Sequence, residues 1–183
     1  MKKPIKCCYW VVPGKVLAGE HPVGVGKLAS SENLDALKEA AVTTFIDLTG
    51  EPEGLASYAS LLDGQAYHRF SITNIATPRS PDITTAILDL IDQQATKEGV
   101  VYIHCRGGVG RTGTIIGCWL TRQGFKGANA LLQLNKLWLQ NPKSAESESP
   151  ETKQQKDYIL SWKENFDESS AIKWVSPSLS FIE

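Results

Sequence analysis

The stretch of sequence that decides the fold is Val100–Gly113, which reads VVYIHCRGGVGRTG. Its first residues, Val100–Ile103, are apolar throughout, as in a strand buried inside a parallel sheet. A glycine-rich turn follows at once, and a helix is predicted from about Thr112 to Gln123. Apolar residues occupy nearly every side of this helix, which predicts that the helix is central and buried. A buried strand therefore leads to Cys105 at the edge of a sheet, and the chain then enters a buried helix.

Strands and helices alternate on both sides of this stretch. Strands are predicted at residues 9–12, 15–18, 42–48 and 66–72, and helices at about 31–40, 82–97 and 125–140. A last helix is predicted to open at Ser149–Glu151, with Ser149 as cap and Pro150 at the first helical position. The polar segment from Lys143 to Ser149 predicts a mobile connection before it. The alternation predicts an α/β fold with a central, mainly parallel sheet flanked by helices.

Length and composition are those of an ordinary globular domain. The chain has 183 residues, 42% of them hydrophobic, and a formal net charge of −1. We expect one domain over residues 1–166 and a C-terminal extension over residues 167–183. The near-neutral charge gives no electrostatic basis for binding nucleic acid or an anionic membrane, and no apolar run has the length of a signal peptide or a membrane span.

The cysteine and histidine residues form no disulfide or metal pattern. The chain has 4 Cys and 3 His, which lack the density of a disulfide framework and the paired spacing of zinc ligands. We therefore expect no metal, no cofactor and a location in the reducing cytoplasm. The sequence carries no prediction of the oligomeric state.

The turn after the buried strand combines a thiol, three glycines and two arginines. The glycines allow successive N–H groups to turn inward, which makes a nest for a tetrahedral dianion at a helix N-terminus. The same field favours the thiolate form of Cys105, the nucleophilic form of a cysteine. Arg111, six positions later, can bind two phosphate oxygens in bidentate fashion. The predicted phosphate-binding residues are Arg106, Gly107, Gly108, Val109, Gly110 and Arg111.

Two neighbours of this loop have predicted roles of their own. Thr112 can hydrogen-bond the sulfur and ease its departure when a covalent intermediate breaks down. His104 is expected to orient the loop rather than act as a base, because a thiolate needs none. A nucleotide-binding loop is the main alternative, but neither of its glycine motifs fits this stretch. A lone core cysteine is the other alternative, and the fixed register of the surrounding residues disfavours it.

These residues resemble a known signature. His104–Gly113 is similar to the H-C-x-x-G-x-x-R-S/T-G motif of the protein tyrosine phosphatase superfamily, and the short chain resembles its dual-specificity branch. The similarity extends weakly over most of the domain, from Tyr9–Pro22 through Phe45–Thr49 to Ser149–Gln155. The resemblance implies two-step hydrolysis of a phosphate monoester through a phosphocysteine, without a metal ion.

The resemblance also implies a proton donor, and here the sequence departs from the pattern. Relatives usually place an aspartate four residues before a proline, where it protonates the leaving oxygen, a contribution of roughly 10²–10⁴-fold. Four residues before Pro78 this chain has Asn74, which cannot give or take that proton. Three alternatives stay open. Asp82 replaces the acid, or turnover is weak and limited to good leaving groups, or the chain is a substrate-trapping form or a phosphate-binding pseudophosphatase.

Gln155 is the remaining candidate at the site. On the last predicted helix it shares a face with Tyr158, Ile159 and Trp162. In related phosphatases a glutamine in a similar setting positions the hydrolytic water. The alternative is that Gln155 satisfies a buried polar group.

The predicted substrate is a phosphorylated protein or peptide. Phosphoinositide-directed relatives often carry lysines where this chain has Arg106 and Val109, so a lipid substrate is the less favoured alternative. The choice between phosphotyrosine and phosphoserine or phosphothreonine depends on the depth of the pocket.

Overall fold

The structure is a computed structural model that describes residues 1–24 and 31–164. The predicted domain boundary at 166 and the extension over residues 167–183 lie outside the described residues. The strands are β1 (Cys8–Val12), β2 (Val16–Gly19), β3 (Val42–Asp47), β4 (Ala66–Arg69) and β5 (Val100–His104). The helices are α1 (Glu32–Glu39), α2 (Pro81–Ala95), α3 (Gly110–Arg122), α4 (Ala128–Trp138) and α5 (Lys153–Ser161). Their order along the chain matches the predicted alternation.

The five strands form one sheet in the order β1-β2-β5-β3-β4. Strands β1 and β2 pair antiparallel, while β2, β5, β3 and β4 run parallel to one another. The predicted mainly parallel sheet is therefore confirmed. The strand β5 occupies the middle, where every one of its residues is buried.

Helices cover both faces of the sheet. Alternate residues of β5 point to opposite faces, so Val101 and Ile103 join one buried cluster with α2, α3, α4 and α5. Tyr102 belongs to a second cluster that includes Leu34 and Leu37 of α1. As predicted, α3 is central, with buried residues from Gly110 through Leu120.

The register of the parallel strands places a site at one edge of the sheet. His104 at the end of β5 pairs with Gly19 of β2 and with Asp47 of β3. The carboxyl ends of three strands therefore meet at one point, where the chain continues into Cys105. Open α/β sheets bind ligands at this edge.

The segment before α5 differs from its prediction. Thr152, rather than Ser149, caps the helix, and its hydroxyl accepts a hydrogen bond from the Gln155 backbone N–H. Ser149 instead donates to the Val109 carbonyl at 2.8 Å. The stretch predicted to be mobile contains a 3₁₀-helix at Pro142–Ala145, capped by the Asn141 side chain. Contacts with the signature loop, which no local pattern reveals, determine this arrangement.

Candidate active site

A pocket of about 360 Å³ opens at the carboxyl edge of the sheet. Its lining consists of Glu20, Asn74, Ile75, Cys105, Arg106, Gly107, Val109, Gly110, Arg111, Lys143 and Glu151. Most of the predicted phosphate-binding residues are therefore brought together around Cys105. Gly108, Thr112 and Gln155 lie close to this lining but are not part of it.

Cys105 lies at the bottom of the pocket, between β5 and α3. It is 3% exposed, and the hydrophobic core packs behind it. Backbone hydrogen bonds hold the chain on both sides of it, from the Leu48 N–H to the His104 carbonyl and from the His21 N–H to the Arg106 carbonyl. The thiol therefore has a fixed position and faces the pocket.

The loop over residues 106–109 keeps its amide groups available. Within the described residues, none of these four N–H groups donates a hydrogen bond. Gly108 has φ +73°, and a Cβ there would lie 2.5 Å from the Gly19 carbonyl carbon. Only glycine meets both conditions, so the tight path of the loop depends on it. Free N–H groups beside a helix N-terminus form a binding site for an anion.

Arg111 is 2% exposed, and its guanidinium is held from several sides. Glu53 accepts two hydrogen bonds from it, at 2.5 Å from Nη1 and 2.8 Å from Nη2. Nη1 also donates to the Ile72 carbonyl at 3.0 Å, and Nη2 to Asn74 Oδ1 at 3.1 Å. Burial opposes the charged form, but the hydrogen bonds to Glu53 and the nearby Cys105 outweigh it and raise the pKa of Arg111. The cation predicted for phosphate binding is thus oriented before any ligand arrives.

Glu53 is a site residue that the sequence did not reveal. It lies in a 3₁₀-helix, Glu51–Glu53, where the Gly50 N–H also donates to its Oε1 at 2.7 Å. Burial raises the pKa of its carboxyl, but the hydrogen bonds from Arg111 and Gly50 lower it further, so the net shift is downward. No motif marks this residue, because the ion pair joins positions 58 residues apart.

The loop that carries Asn74 forms the open side of the pocket. Asn74 is exposed, and Ile75 is 58% exposed with φ +57°, a left-handed conformation that β-branched residues rarely adopt. Asn74 therefore lies at the mouth of the pocket, and its correspondence to the proton donor of the relatives stays a prediction. Asp82, the alternative donor, is an exposed residue in the first turn of α2 and does not line the pocket.

Gln155 is fully buried and supports the same loop from below. Its Oε1 accepts from the Thr152 N–H at 3.1 Å, and its Nε2 donates to the Ala76 carbonyl at 3.1 Å. Both ends of the amide are therefore engaged. Of the two alternatives for this residue, the geometry favours the satisfaction of buried backbone groups.

Thr112 and His104 flank the loop, as predicted. Thr112 Oγ1 is buried and makes no hydrogen bond within the described residues, so its predicted bond to the sulfur is not formed. His104 is fully buried, with Nδ1 3.2 Å from the Cys105 carbonyl and Nε2 2.5 Å from Tyr58 Oη. Burial lowers the pKa of His104, although Asp47 opposes the shift. A neutral ring that donates to the Cys105 carbonyl fits the predicted orienting role.

Three further charged residues line the pocket without any signal in the sequence. Lys143 Nζ lies 2.7 Å from Glu20 Oε2 and donates to the Gly107 carbonyl at 2.9 Å. Glu151 follows the Ser149-Pro150 dipeptide and faces the start of α3. Glu20 and Lys143 are 123 residues apart in the chain, and the tertiary fold brings them into contact.

Neither a metal-binding cluster nor a membrane-spanning helix is present in the part of the chain that the structure describes. Across residues 1–24 and 31–164, no three His, Cys, Asp or Glu side chains are grouped so that they could hold a metal ion. Over the same residues, no helix combines the length and apolar character needed to cross a bilayer.

Comparison with known proteins gives a family match over most of the chain. A family model described as PTP-SAK, Swiss Army Knife protein, DSP-PTPase phosphatase domain, matches residues 5–161. The tyrosine-protein phosphatase cdc-14 of Caenorhabditis elegans is 29% identical over 121 residues, which cover 62% of this chain and 16% of the relative. The putative tyrosine phosphatase 067L of invertebrate iridescent virus 3 is 32% identical over 114 residues, 60% of this chain and 43% of that protein. The chain thus spans less than half the length of these relatives.

Solved structures agree in fold. The active form of Tk-PTP superposes with a TM-score of 0.66 at 21% identity, over 83% of this chain and 92% of that one. Kinase associated phosphatase gives a TM-score of 0.65 at 16% identity, over 79% and 83% of the two chains.

Proposed function

Because the chain belongs to the DSP-PTPase phosphatase domain family of Swiss Army Knife proteins, we propose that it hydrolyses phosphate monoesters of proteins or peptides through a phosphocysteine at Cys105. One observation carries the proposal. A buried thiol, a loop of undonated N–H groups and an oriented arginine share one pocket. Such donors stabilise the charge that develops on transferring phosphoryl oxygens.

The first step forms the covalent intermediate. The Cys105 thiolate attacks phosphorus while the loop amides and Arg111 bind the phosphate oxygens. Glu53 and the Ile72 carbonyl already accept hydrogen bonds from Nη1 of Arg111. Bidentate binding of phosphate therefore requires Nη2 to donate one of the two hydrogen bonds. Nη2 must then exchange Asn74 Oδ1 for a phosphate oxygen. Substrate binding therefore frees the loop around Asn74 from the arginine.

The second step returns the thiolate. Water attacks the phosphocysteine, the S–P bond breaks and inorganic phosphate leaves. Thr112 Oγ1 has an unused donor beside the loop, which can turn to the departing sulfur. Gln155 contributes through the Ala76 carbonyl, because it holds the backbone of the loop that faces the attacking water.

The substrate class follows from the chemistry of the pocket. The cations Arg106, Arg111 and Lys143 recognise phosphate, but Glu20 neutralises Lys143, which limits attraction for a second phosphate group. A singly phosphorylated side chain of a protein or peptide fits this balance best. A phosphoinositide is the second candidate, favoured only by the presence of Lys143 at the mouth.

The proposal is tested with Cys105→Ser and an aryl phosphate. We expect the variant to lose all measurable phosphate release while it still binds a phosphotyrosine peptide. Denaturation of the wild type during turnover should trap one phosphoryl group on Cys105, detected by mass spectrometry. Retention of more than a trace of activity in Cys105→Ser would contradict the mechanism.

A phosphate-binding module without turnover is the rival function, and Asn74 is the observation that favours it. In that case the wild type binds the phosphopeptide but releases no phosphate from any substrate. Assay of phosphotyrosine peptide, phosphothreonine peptide and inositol phospholipid with the same protein separates the three possibilities.

A further inference from the structure

We propose that Glu151 is the general acid and base of this site, in place of the carboxylate that is absent at Asn74. The inference rests on the proposed phosphatase function and adds a catalytic residue to it. The carboxyl groups that line the pocket among the described residues are Glu20 and Glu151. Glu20 is paired with Lys143 at 2.7 Å, whereas Glu151 makes no hydrogen bond or ion pair within those residues.

The carboxyl group of Glu151 lies beside the phosphate-binding loop, on the side from which it can reach the leaving oxygen. A Cβ placed on Gly110 would lie 3.0 Å from Glu151 Oε2 and 2.9 Å from Gln155 Nε2. The carboxyl group therefore lies against the first residue of α3, beside the loop that holds the phosphate. Among the residues that the structure describes, the other charged groups that face the pocket are Arg106, Arg111, Lys143 and Glu20.

The backbone around Glu151 is anchored on both sides. Ser149 donates to the Val109 carbonyl at 2.8 Å, and Thr152 caps α5 through a reciprocal pair of hydrogen bonds with Gln155. These contacts fix the backbone on both sides of Glu151, whose own side chain is exposed at the pocket. A fixed backbone keeps the carboxyl group near the phosphate-binding loop, and positioned acids contribute to catalysis.

Glu151 transfers one proton in each of the two chemical steps. The Cys105 thiolate attacks phosphorus, the bond to the leaving oxygen breaks, and that oxygen takes the proton of the Glu151 carboxyl. The Glu151 carboxylate then takes a proton from water as the water oxygen attacks phosphorus, and the S–P bond breaks to restore the thiolate. The products are the free hydroxyl compound and inorganic phosphate, and the enzyme is unchanged.

The test compares Glu151→Gln with Glu146→Gln, an exposed glutamate outside the pocket lining. A phosphoserine peptide, whose leaving group needs a proton, should lose about 10²–10⁴-fold in kcat/KM in Glu151→Gln, because kcat/KM reports the steps up to formation of the phosphocysteine. An aryl phosphate with an acidic phenol should lose less than about tenfold in kcat/KM. Glu146→Gln should match the wild type on both. The fall in kcat/KM at high pH that a general acid produces should disappear in Glu151→Gln.

Each other outcome overturns the inference. Equal losses in kcat/KM on both substrates would mean that Glu151 supports the loop rather than protonates the leaving group, and the ratio within one variant does not depend on how much of it folds. No loss on either substrate, in an active wild type, would overturn the role of Glu151 and leave the proposed function intact. A wild type that forms no phosphocysteine would overturn both.

Discussion

At the floor of the pocket, Cys105 and Arg111 are 3% and 2% exposed, and Arg111 has four hydrogen-bond acceptors within 3.1 Å. At its rim, formed by Asn74 and Ile75, Ile75 is 58% exposed and the backbone is left-handed. The floor is therefore held by the core of the protein, while the rim is held mainly by Arg111 and by the support of Gln155 under Ala76. Binding of the phosphate group depends on the floor, whereas the fit of the leaving group depends on the rim.

Between the floor and the rim, the larger effect is expected at the support of the floor. Glu53→Gln removes the charge that orients Arg111, so kcat/KM should fall about 10–100-fold because the guanidinium is displaced from the phosphate. Thermal unfolding should also shift to a lower temperature, since a buried arginine loses its charged partner. Steady-state kinetics and a melting curve measure the two effects.

Glu51→Gln is the matched control for this variant. Glu51 lies in the same 3₁₀-helix but is exposed. It should leave both measurements unchanged. Equal effects of the two variants would mean that net charge, and not the ion pair with Arg111, controls the floor.

A smaller effect is expected at the rim. Asn74→Asp adds a carboxyl group at the position implied by the resemblance, and it should raise kcat for a phosphoserine peptide by less than about tenfold. The gain is limited because Nη2 of Arg111 faces position 74 and favours the carboxylate, which cannot donate a proton. Kinetics over a series of leaving groups should show no gain for acidic phenols.

Asp82→Asn supplies the comparison for the rim. Because Asp82 is exposed and does not line the pocket, this variant should retain wild-type kinetics. A loss of two orders of magnitude in kcat would instead assign the proton transfer to Asp82. Asn74 would then not correspond to the aspartate of the relatives.

The smallest effect concerns the layer beneath the floor and appears only in the pH dependence of stability. Burial, followed by the field of His104, lowers the pKa of His21 to about 4. Its folded pKa thus lies below the unfolded value of about 6.5, so the unfolded chain takes up a proton first as the pH falls. The contribution is present above about pH 6.5 and is lost between there and about pH 4. The loss between pH 7 and pH 5 is of the order of 2 kcal/mol.

His21→Asn should flatten this dependence. Urea unfolding at pH 7 and pH 5 should show a smaller decrease in the variant than in the wild type. His104, whose pKa burial also lowers, remains and keeps part of the slope. An unchanged slope in His21→Asn would mean that His21 is not the group responsible.

Much of the fold and the floor follows from local sequence. The apolar strand, the three glycines and the buried helix predict the path of the chain through Cys105, and the signature spacing predicts that Arg111 returns to it. The structure places these residues as expected, and the catalytic roles assigned to them remain predictions. The prediction from sequence is wrong within residues 143–152. Ser149, the predicted cap, donates a hydrogen bond to the Val109 carbonyl, and Thr152 caps the helix instead.

The sequence by itself determined the elements whose information lies within a few residues, namely the strand–loop–helix unit, the alternation of strands and helices, and the absence of a carboxyl group at position 74. Only the tertiary structure decided which distant side chains complete the pocket. Glu53 meets Arg111 across 58 residues, and Lys143 meets Glu20 across 123. Such contacts leave no periodic or spacing pattern, because the sheet edge and the packing of α5 on α3, rather than proximity along the chain, bring the groups together.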